Sequence, residues 1–279
     1  MRKAIFTLAI GDNPMYQAAI ASFQHYANKV GADLIVSNQI TYQVKIDNPK
    51  FHASPAWAEK LSIGSLLQTY ERVLYLDADV LIHPLAENIF DIYTDLEVVY
   101  MLNEGRNCHR SDERKSVEDY LGKANWPTIE GKPVYYNAGV ILISKACELF
   151  SHIHIGDLQK LCNKIRFYEQ TCFNYTLHKY DIKHEELSIR FNRMDMFGQE
   201  GYLDADFIHY AGKGYARNSR RRDVQFLKDF AALYQNILPK DHMDALKAQA
   251  WHDYLAVVCK KYPLPNWLIK QCSNWFVPH

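Results

Sequence analysis

The sequence predicts an α/β protein with a mostly parallel central sheet flanked by helices and a helical C-terminal extension. Three observations carry that prediction. Strand, helix and strand follow one another through residues 4–36 at the spacing of a right-handed crossover. The stretch Arg72-Val73-Leu74-Tyr75-Leu76-Asp77-Ala78-Asp79-Val80-Leu81-Ile82 is an apolar run that meets two carboxylates one residue apart and then turns apolar again. From Tyr215 onward the chain is helical and basic in character, broken by Pro239 and by Pro263-Leu264-Pro265.

Ala4 to Ile10 reads as the first strand. Asn13 offers an N-cap with Pro14 at the first helical position. Tyr16, Ala19, Ile20, Phe23, Tyr26 and Ala27 recur at helical spacing, so a helix is expected over 14–29, closed by Gly31. Leu34-Ile35-Val36 is the second strand. Residues 39–55 are polar, with Pro49 and Pro55, and read as a loop. A helix over 56–70 presents Ile63, Leu66, Leu67 and Tyr70 on one face and leads into the acidic strand. Another strand is expected over 97–101. Residues 103–131, polar and mixed in charge with Gly105, Gly122 and Gly131, are expected to form a mobile loop with a short helix, a common composition for a lid. Residues 134–143 return to the core, interrupted at Asn137-Ala138-Gly139. Helices follow over 156–178, then a short strand over 206–209 and the Gly-rich Ala211-Gly212-Lys213-Gly214. The division expected is a catalytic domain over 1–215 and a basic, aromatic extension over 216–279.

The 279 residues, 48% of them hydrophobic, suffice for one large core or one core with an appendage. There is no run of eighteen apolar residues, which excludes a spanning helix. The apolar start is short and interrupted by Gly11-Asp12-Asn13-Pro14, which favours a buried strand over a signal peptide. Six cysteines (Cys108, Cys147, Cys162, Cys172, Cys259 and Cys272) form no Cys-x-x-Cys pair and read as reduced thiols of a cytoplasmic protein. The net charge of +0 hides an asymmetry. From Lys213 to the end there are 11 Lys/Arg against 5 Asp/Glu, and 21 against 27 before it. A basic tail on an acidic body points to an anionic partner.

If the strand continued through Asp77 and Asp79, both carboxylates would project to the same side at the mouth of the sheet. Paired oxygens of that kind hold Mg²⁺ or Mn²⁺, which keep positions for water and substrate phosphate. The plain alternative is a solvated acidic turn. His209, taken alone, reads as a core histidine as readily as a ligand, and Asn137-Ala138-Gly139 as a strand bend.

In sequence order, Val73-Leu74-Tyr75-Leu76-Asp77-Ala78-Asp79-Val80, Tyr136-Asn137-Ala138-Gly139-Val140, Glu169-Gln170 with Asn174, and His209-Tyr210-Ala211-Gly212 resemble the motifs of GT-A-fold (Rossmann-like) glycosyltransferases of family 8. That family includes glycogenins and bacterial lipopolysaccharide galactosyl- and glucosyltransferases. The resemblance runs from Ile5 to about Lys213. It implies a hexose transferred from a nucleotide sugar, a UDP-sugar in the first instance, to a glycan or glycolipid, with retention of configuration. Asp77, Asp79 and His209 would be the metal ligands, and a nitrogen ligand favours Mn²⁺ over Mg²⁺. Thr7, Asp12 and Tyr16 would form the nucleoside edge, at the strand end where open α/β sheets place ligands; Tyr16 also fits the apolar helix face. Lys60, Ala78, Asn137, Ala138, Gly139, Gly212 and Lys213 would line the donor site. Asn137 and Gln170 would touch the transferred sugar, with Gln170 at the place to look for a nucleophile and Glu169 the carboxylate alternative.

One departure stands out. The family's phosphate-binding lysine lies three residues after the glycine, where this chain has Tyr215, so Lys213 or Arg217 is expected to substitute. In the tail, Arg220-Arg221-Arg222 and Lys260-Lys261 with Trp251, Trp267, Trp275 and Phe276 suit either the inner face of a membrane or a helical cap with a basic outer face. No nucleic-acid reader motif accompanies the charge. Rival readings are an inverting transferase with a carboxylate base, a haloacid-dehalogenase-type phosphatase with Asp77 as nucleophile, Asp79 as acid/base and Asp204-Ala205-Asp206 as its late acidic motif, and a silent sugar- or nucleotide-binding scaffold.

Overall fold

A computed structural model describes the backbone of residues 1–47, 55–215 and 222–274. Strand β1 (Lys3–Leu8) leads to helix α1 (Pro14–Val30). The Asn13 side chain accepts a hydrogen bond from Met15 N, Pro14 occupies the first turn, and Gly31 closes the helix in the left-handed conformation at φ 66°. Strand β2 (Asp33–Ser37) returns parallel to β1. The expected helix over 56–70 is instead a 3-10 segment, Pro55–Leu61, followed by the short α2 (Ser62–Leu66). Strand β3 (Arg72–Asp77) lies parallel to β1 on its other side.

The strand does not run on through Asp79. Ala78 and Asp79 form a turn, and β4 (Val80–Ile82) leaves the main sheet to pair elsewhere. After α3 (Ile89–Ile92) comes β5 (Val99–Asn103). The segment 103–131, expected as mobile loop, is mostly built structure: a 3-10 turn, α4 (Ser111–Leu121) and the hairpin of β6 (Thr128–Ile129) and β7 (Lys132–Pro133). Strand β8 (Tyr136–Ser144) keeps strand geometry throughout, but its register with β5 jumps from Leu142 opposite Tyr100 to Asn137 opposite Leu102. The extra residues of the irregularity therefore fall in β8 between those two positions, where the interruption at Ala138-Gly139 was expected. Helices α5 (Ile155–Leu161) and α6 (Tyr168–Lys179), strand β9 (His184–Glu186) and strand β10 (Phe207–His209) follow, then α7 (Arg222–Tyr234), α8 (Lys240–Lys261) and α9 (Asn266–Asn274).

The main sheet runs β2-β1-β3-β8-β5-β9. Only β8 is antiparallel to its neighbours, so the sheet is mostly parallel, as expected. Central strands are apolar on both faces because both faces are covered. Leu74, Leu76, Val140 and Leu142 join a core with α1, and Val73, Tyr75, Ile141 and Ile143 join one with α6. Phe226, Phe230 and Tyr234 of α7 lie in the α1-side core. Among the described residues, no helix is long and apolar enough to cross a membrane.

Candidate active site

β10 pairs antiparallel with β4, His209 opposite Val80, and Tyr210 N donates to Asp79 O at 2.9 Å. This pairing, rather than a shared strand face, gathers Asp77, Asp79 and His209, whose ligand atoms lie within 4.8 Å of one another. His209 Nδ1 lies 2.8 Å from Asn192 Oδ1, and Asn192 Nδ2 donates to Asn137 Oδ1 at 3.0 Å. That second bond turns the Asn192 oxygen toward the imidazole, so Nδ1 carries a proton. Nε2 faces Asp79 Oδ1 at 3.3 Å, and Oδ1 is buried with no hydrogen-bond partner. Two buried lone-pair atoms turned on each other require a proton or a cation between them. Burial works against an ionised Asp79, but with the proton in place the His209 imidazolium, then Arg222 and Lys60, outweigh it and hold the carboxyl well below its ordinary range.

Gly139 forms the roof. A Cβ there would stand 2.2 Å from His209 Cε1, 2.9 Å from Nε2 and 3.0 Å from Asp77 Oδ2. The space a side chain would fill is therefore the space these ligand groups need. The set of two carboxylates and an imidazole, with an orphaned oxygen and a glycine roof, fits a divalent metal. Replacing Asn192 with alanine is expected to lower divalent-metal affinity about 10- to 100-fold by releasing the imidazole, measured by metal titration.

Beside this cluster, Lys60 is buried and triply held: its Nζ lies 3.1 Å from Asp77 Oδ1, 2.8 Å from Glu169 Oε1 and 3.0 Å from Ala138 O. Tyr75 also donates to Asp77 Oδ1, at 2.5 Å. Burial pulls the lysine down, yet Asp77 and Glu169 prevail and raise it. Burial raises Glu169, with Lys60 opposing.

Helix α6 delivers Glu169 and Gln170 from a strained start. Phe167 and Tyr168 both have positive φ, 60° and 23°, an unfavourable region for aromatic residues. Gln170 Oε1 accepts from Ala138 N at 3.0 Å, and its Nε2 donates to Glu104 Oε1 at 3.0 Å. Asn137 Nδ2 donates to Glu104 Oε2 at 3.0 Å. Glu104, buried, is neutralised by Arg110, with contacts at 2.6 and 2.8 Å. Arg110 in turn lies over the Phe167 ring at 4.2 Å. Asn174 bonds both the amide and the carbonyl of Tyr136, pinning the start of β8 to α6.

The structure thus joins Lys60, Asp77, Ala78, Asp79, Asn137, Ala138, Gly139, Glu169, Gln170 and His209 in one contiguous site. Tyr16 is half-buried on α1 and its phenol is raised by burial and then by Asp79. Thr7 is buried at the end of β1 with an unpartnered hydroxyl, and Asp12 is exposed. Among the described residues, no side-chain hydrogen bond ties Thr7, Asp12 or Lys213 to the cluster. Gly212 (φ 62°) forms a left-handed turn, Lys213 is exposed, and Arg217 lies outside the described residues. Tyr215 is buried, stacked on Tyr202 at 3.9 Å, with its hydroxyl on Arg193 O. Arg222 Nη1 reaches Asp79 Oδ2 at 2.6 Å.

Sequence reasoning missed Glu104, Arg110, Asn192 and the role of Arg222. Arg222 had a visible signal, its charge, but was read as part of a basic surface. Glu104 and Arg110 were hidden in a polar segment, and Asn192 had no local signal.

A model of the family described as "Glycosyl transferase family 8" matches residues 13–214. A comparison with curated proteins finds no match. Among solved structures, the chain resembles the galactosyltransferase LgtC in complex with donor and acceptor sugar analogs, at 18% identity and a TM-score of 0.50, over 85% of this chain and 98% of that one. It also resembles a glycosyltransferase involved in glycosylation of the major capsid of PBCV-1, at 15% identity and a TM-score of 0.53, over 81% and 99%. These likenesses bear out the GT-A fold.

Proposed function

Because the chain belongs to glycosyl transferase family 8, we propose that this glycosyltransferase moves a hexose from a UDP-sugar to a glycan or glycolipid with a divalent metal, Mn²⁺, at Asp77, Asp79 and His209. The observation that carries the metal reading is the orphaned Asp79 Oδ1 facing His209 Nε2 under the Gly139 roof. The metal would act as a Lewis acid on the leaving diphosphate. Lys60 holds Asp77 and Glu169 in place and adds positive charge at the floor of the site.

Retention without a covalent enzyme intermediate fits these contacts. Glu169 is tied to Lys60 through Oε1, and Glu104 is shared among Arg110, Gln170 and Asn137, so both carboxylates serve to hold the surrounding side chains. Gln170 and Asn137, fixed by Glu104 and by the backbone of β8, would line the sugar's side of the site, and the acceptor hydroxyl would attack on the face the diphosphate leaves. The phosphatase reading loses its late acidic motif: Asp206 accepts from Glu87 N and is paired with Arg190, away from Asp77 and Asp79.

The remaining readings follow from the same assignment. The donor-binding body is 1–215 and the extension 216–279. The exposed Trp267 and Leu264 with Lys260 suit contact with the inner face of a membrane or an anionic glycolipid, in a cytoplasmic protein of polysaccharide or lipopolysaccharide synthesis. Trp275 and Phe276 lie outside the described residues.

The test is release of nucleoside diphosphate from a panel of nucleotide sugars, with Mn²⁺ and glycan acceptors. Native protein should turn over a UDP-hexose, and Asp77→Asn should lose at least about 100-fold of that rate while keeping its fold. Near-native turnover in Asp77→Asn would remove the metal assignment.

A further inference from the structure

Arg222 opens α7 and stands beside the metal cluster. Its Nη1 donates to Asp79 Oδ2 at 2.6 Å and to Tyr210 O at 3.0 Å, and its side chain is 35% exposed. Among the described residues, its Nε and Nη2 make no hydrogen bond, so the guanidinium keeps N–H edges for a ligand. It stands beside Gly214, which is in the left-handed region at φ 56°; a Cβ on Gly214 would lie 3.3 Å from Arg222 Cβ. Asp79 therefore has two faces, Oδ1 toward His209 and Oδ2 toward Arg222.

Charge balance gives that arrangement a use. Two aspartates and one divalent ion cancel, leaving the negative charge of an incoming diphosphate to be met by other cations. With Asp77 already counted against the metal, Lys60 is balanced by Glu169, 2.8 Å from its Nζ, and Arg222 is the cation left over. Tyr215 is uncharged and turned inward, and Lys213 is exposed, with no hydrogen bond among the described residues that ties it to the cluster.

We propose that Arg222 is the second cation of the donor site, binding the diphosphate of the nucleotide sugar while anchored to the metal ligand Asp79. The proposal rests on the nucleotide-sugar reading above. It has two consequences of opposite sign. A cation beside a cation site weakens metal binding, whereas a cation beside a phosphate strengthens phosphate binding. Loss of the Arg222 charge therefore separates the two affinities, which a misfolded site would not do.

The experiment is calorimetric titration of native protein, Arg222→Gln and Arg222→Lys, first with Mn²⁺ alone and then with UDP and UMP at saturating Mn²⁺. Arg222→Gln should bind Mn²⁺ as well as native or more tightly, and should lose about tenfold or more in UDP affinity. UMP should lose less, and Arg222→Lys should recover part of the UDP affinity. UDP affinity in Arg222→Gln within about twofold of native would overturn the proposal. So would a parallel fall in Mn²⁺ affinity, which would make Arg222 only a support for Asp79. If native protein binds none of UDP, GDP and CDP with Mn²⁺, the donor reading itself fails and takes this proposal with it.

Discussion

Gly139→Ala is expected to abolish metal-dependent transfer. The added Cβ would sit 2.2 Å from His209 Cε1 and 3.0 Å from Asp77 Oδ2, closer than atoms pack. Strand β8 is buried here and held on either side of Gly139, by Val140 opposite Leu76 of β3 and by Asn137 opposite Leu102 of β5, which limits how far it can back away. Nor can His209 swing clear without breaking its bond to Asn192, at 2.8 Å. Overpacking of this kind costs about 1–3 kcal/mol of stability. The larger effect is on the site: we expect a fall of at least about 100-fold in Mn²⁺ affinity, with transfer lost in proportion. Metal titration and thermal unfolding of the variant measure the two separately. A variant that keeps native metal affinity would show that the His209 and Asp77 positions are not those of the working site.

Lys60→Met should have the largest effect on stability. It removes the cation that, among the described residues, Asp77 and Glu169 share, and leaves two carboxylates without it, Glu169 being almost wholly buried. Breaking a buried ion pair from one side typically costs about 3–5 kcal/mol. The pH dependence has a definite sign. The lysine's value is raised in the folded state, burial opposing and Asp77 and Glu169 prevailing, so its contribution is complete below the ordinary lysine range and is lost as pH rises through the folded value. Glu169 is raised by burial, so on acidification it takes up a proton earlier than an exposed glutamate and removes part of the lysine's role. The stability gap between native and Lys60→Met should therefore be widest from neutral pH up to the ordinary lysine range, narrow on acidification, and narrow on the alkaline side only above that range. Chemical denaturation at several pH values measures it, and a gap independent of pH would contradict the ionic account.

The order of elements was legible because it rests on local signals. The caps at Asn13 and Gly31, the apolar runs of β1, β3 and β8, and the breaks at Pro239 and Pro263 each act within a few residues. Where the sequence reading failed, a tertiary contact had prevailed over a local pattern. The strand expected to carry both aspartates breaks at Ala78, because Val80–Ile82 finds its partner in β10, more than a hundred residues on. Residues 103–131 read as loop from their polarity, yet Glu104 and Arg110 satisfy each other beneath Gln170 and Asn137. Pairs so distant in sequence leave no periodic trace.

The candidate site shows the same division. Asp77, Asp79, Asn137, Gln170 and His209 stood out in short motifs, and the structure brings them together. The groups that hold them did not stand out. Lys60 was visible as a basic residue, but its simultaneous grip on Asp77, Glu169 and Ala138 O could not be read from spacing. Asn192 lies between short turns and acts only through His209 and Asn137. Arg222 belongs by sequence to a basic run and by structure to Asp79.

The most direct test of the metal-dependent donor site is calorimetric binding of UDP to the native chain, once with Mn²⁺ and once with a chelator. Binding that appears with Mn²⁺ and disappears with the chelator is the predicted result. Equal binding in both conditions, or none in either, would contradict it.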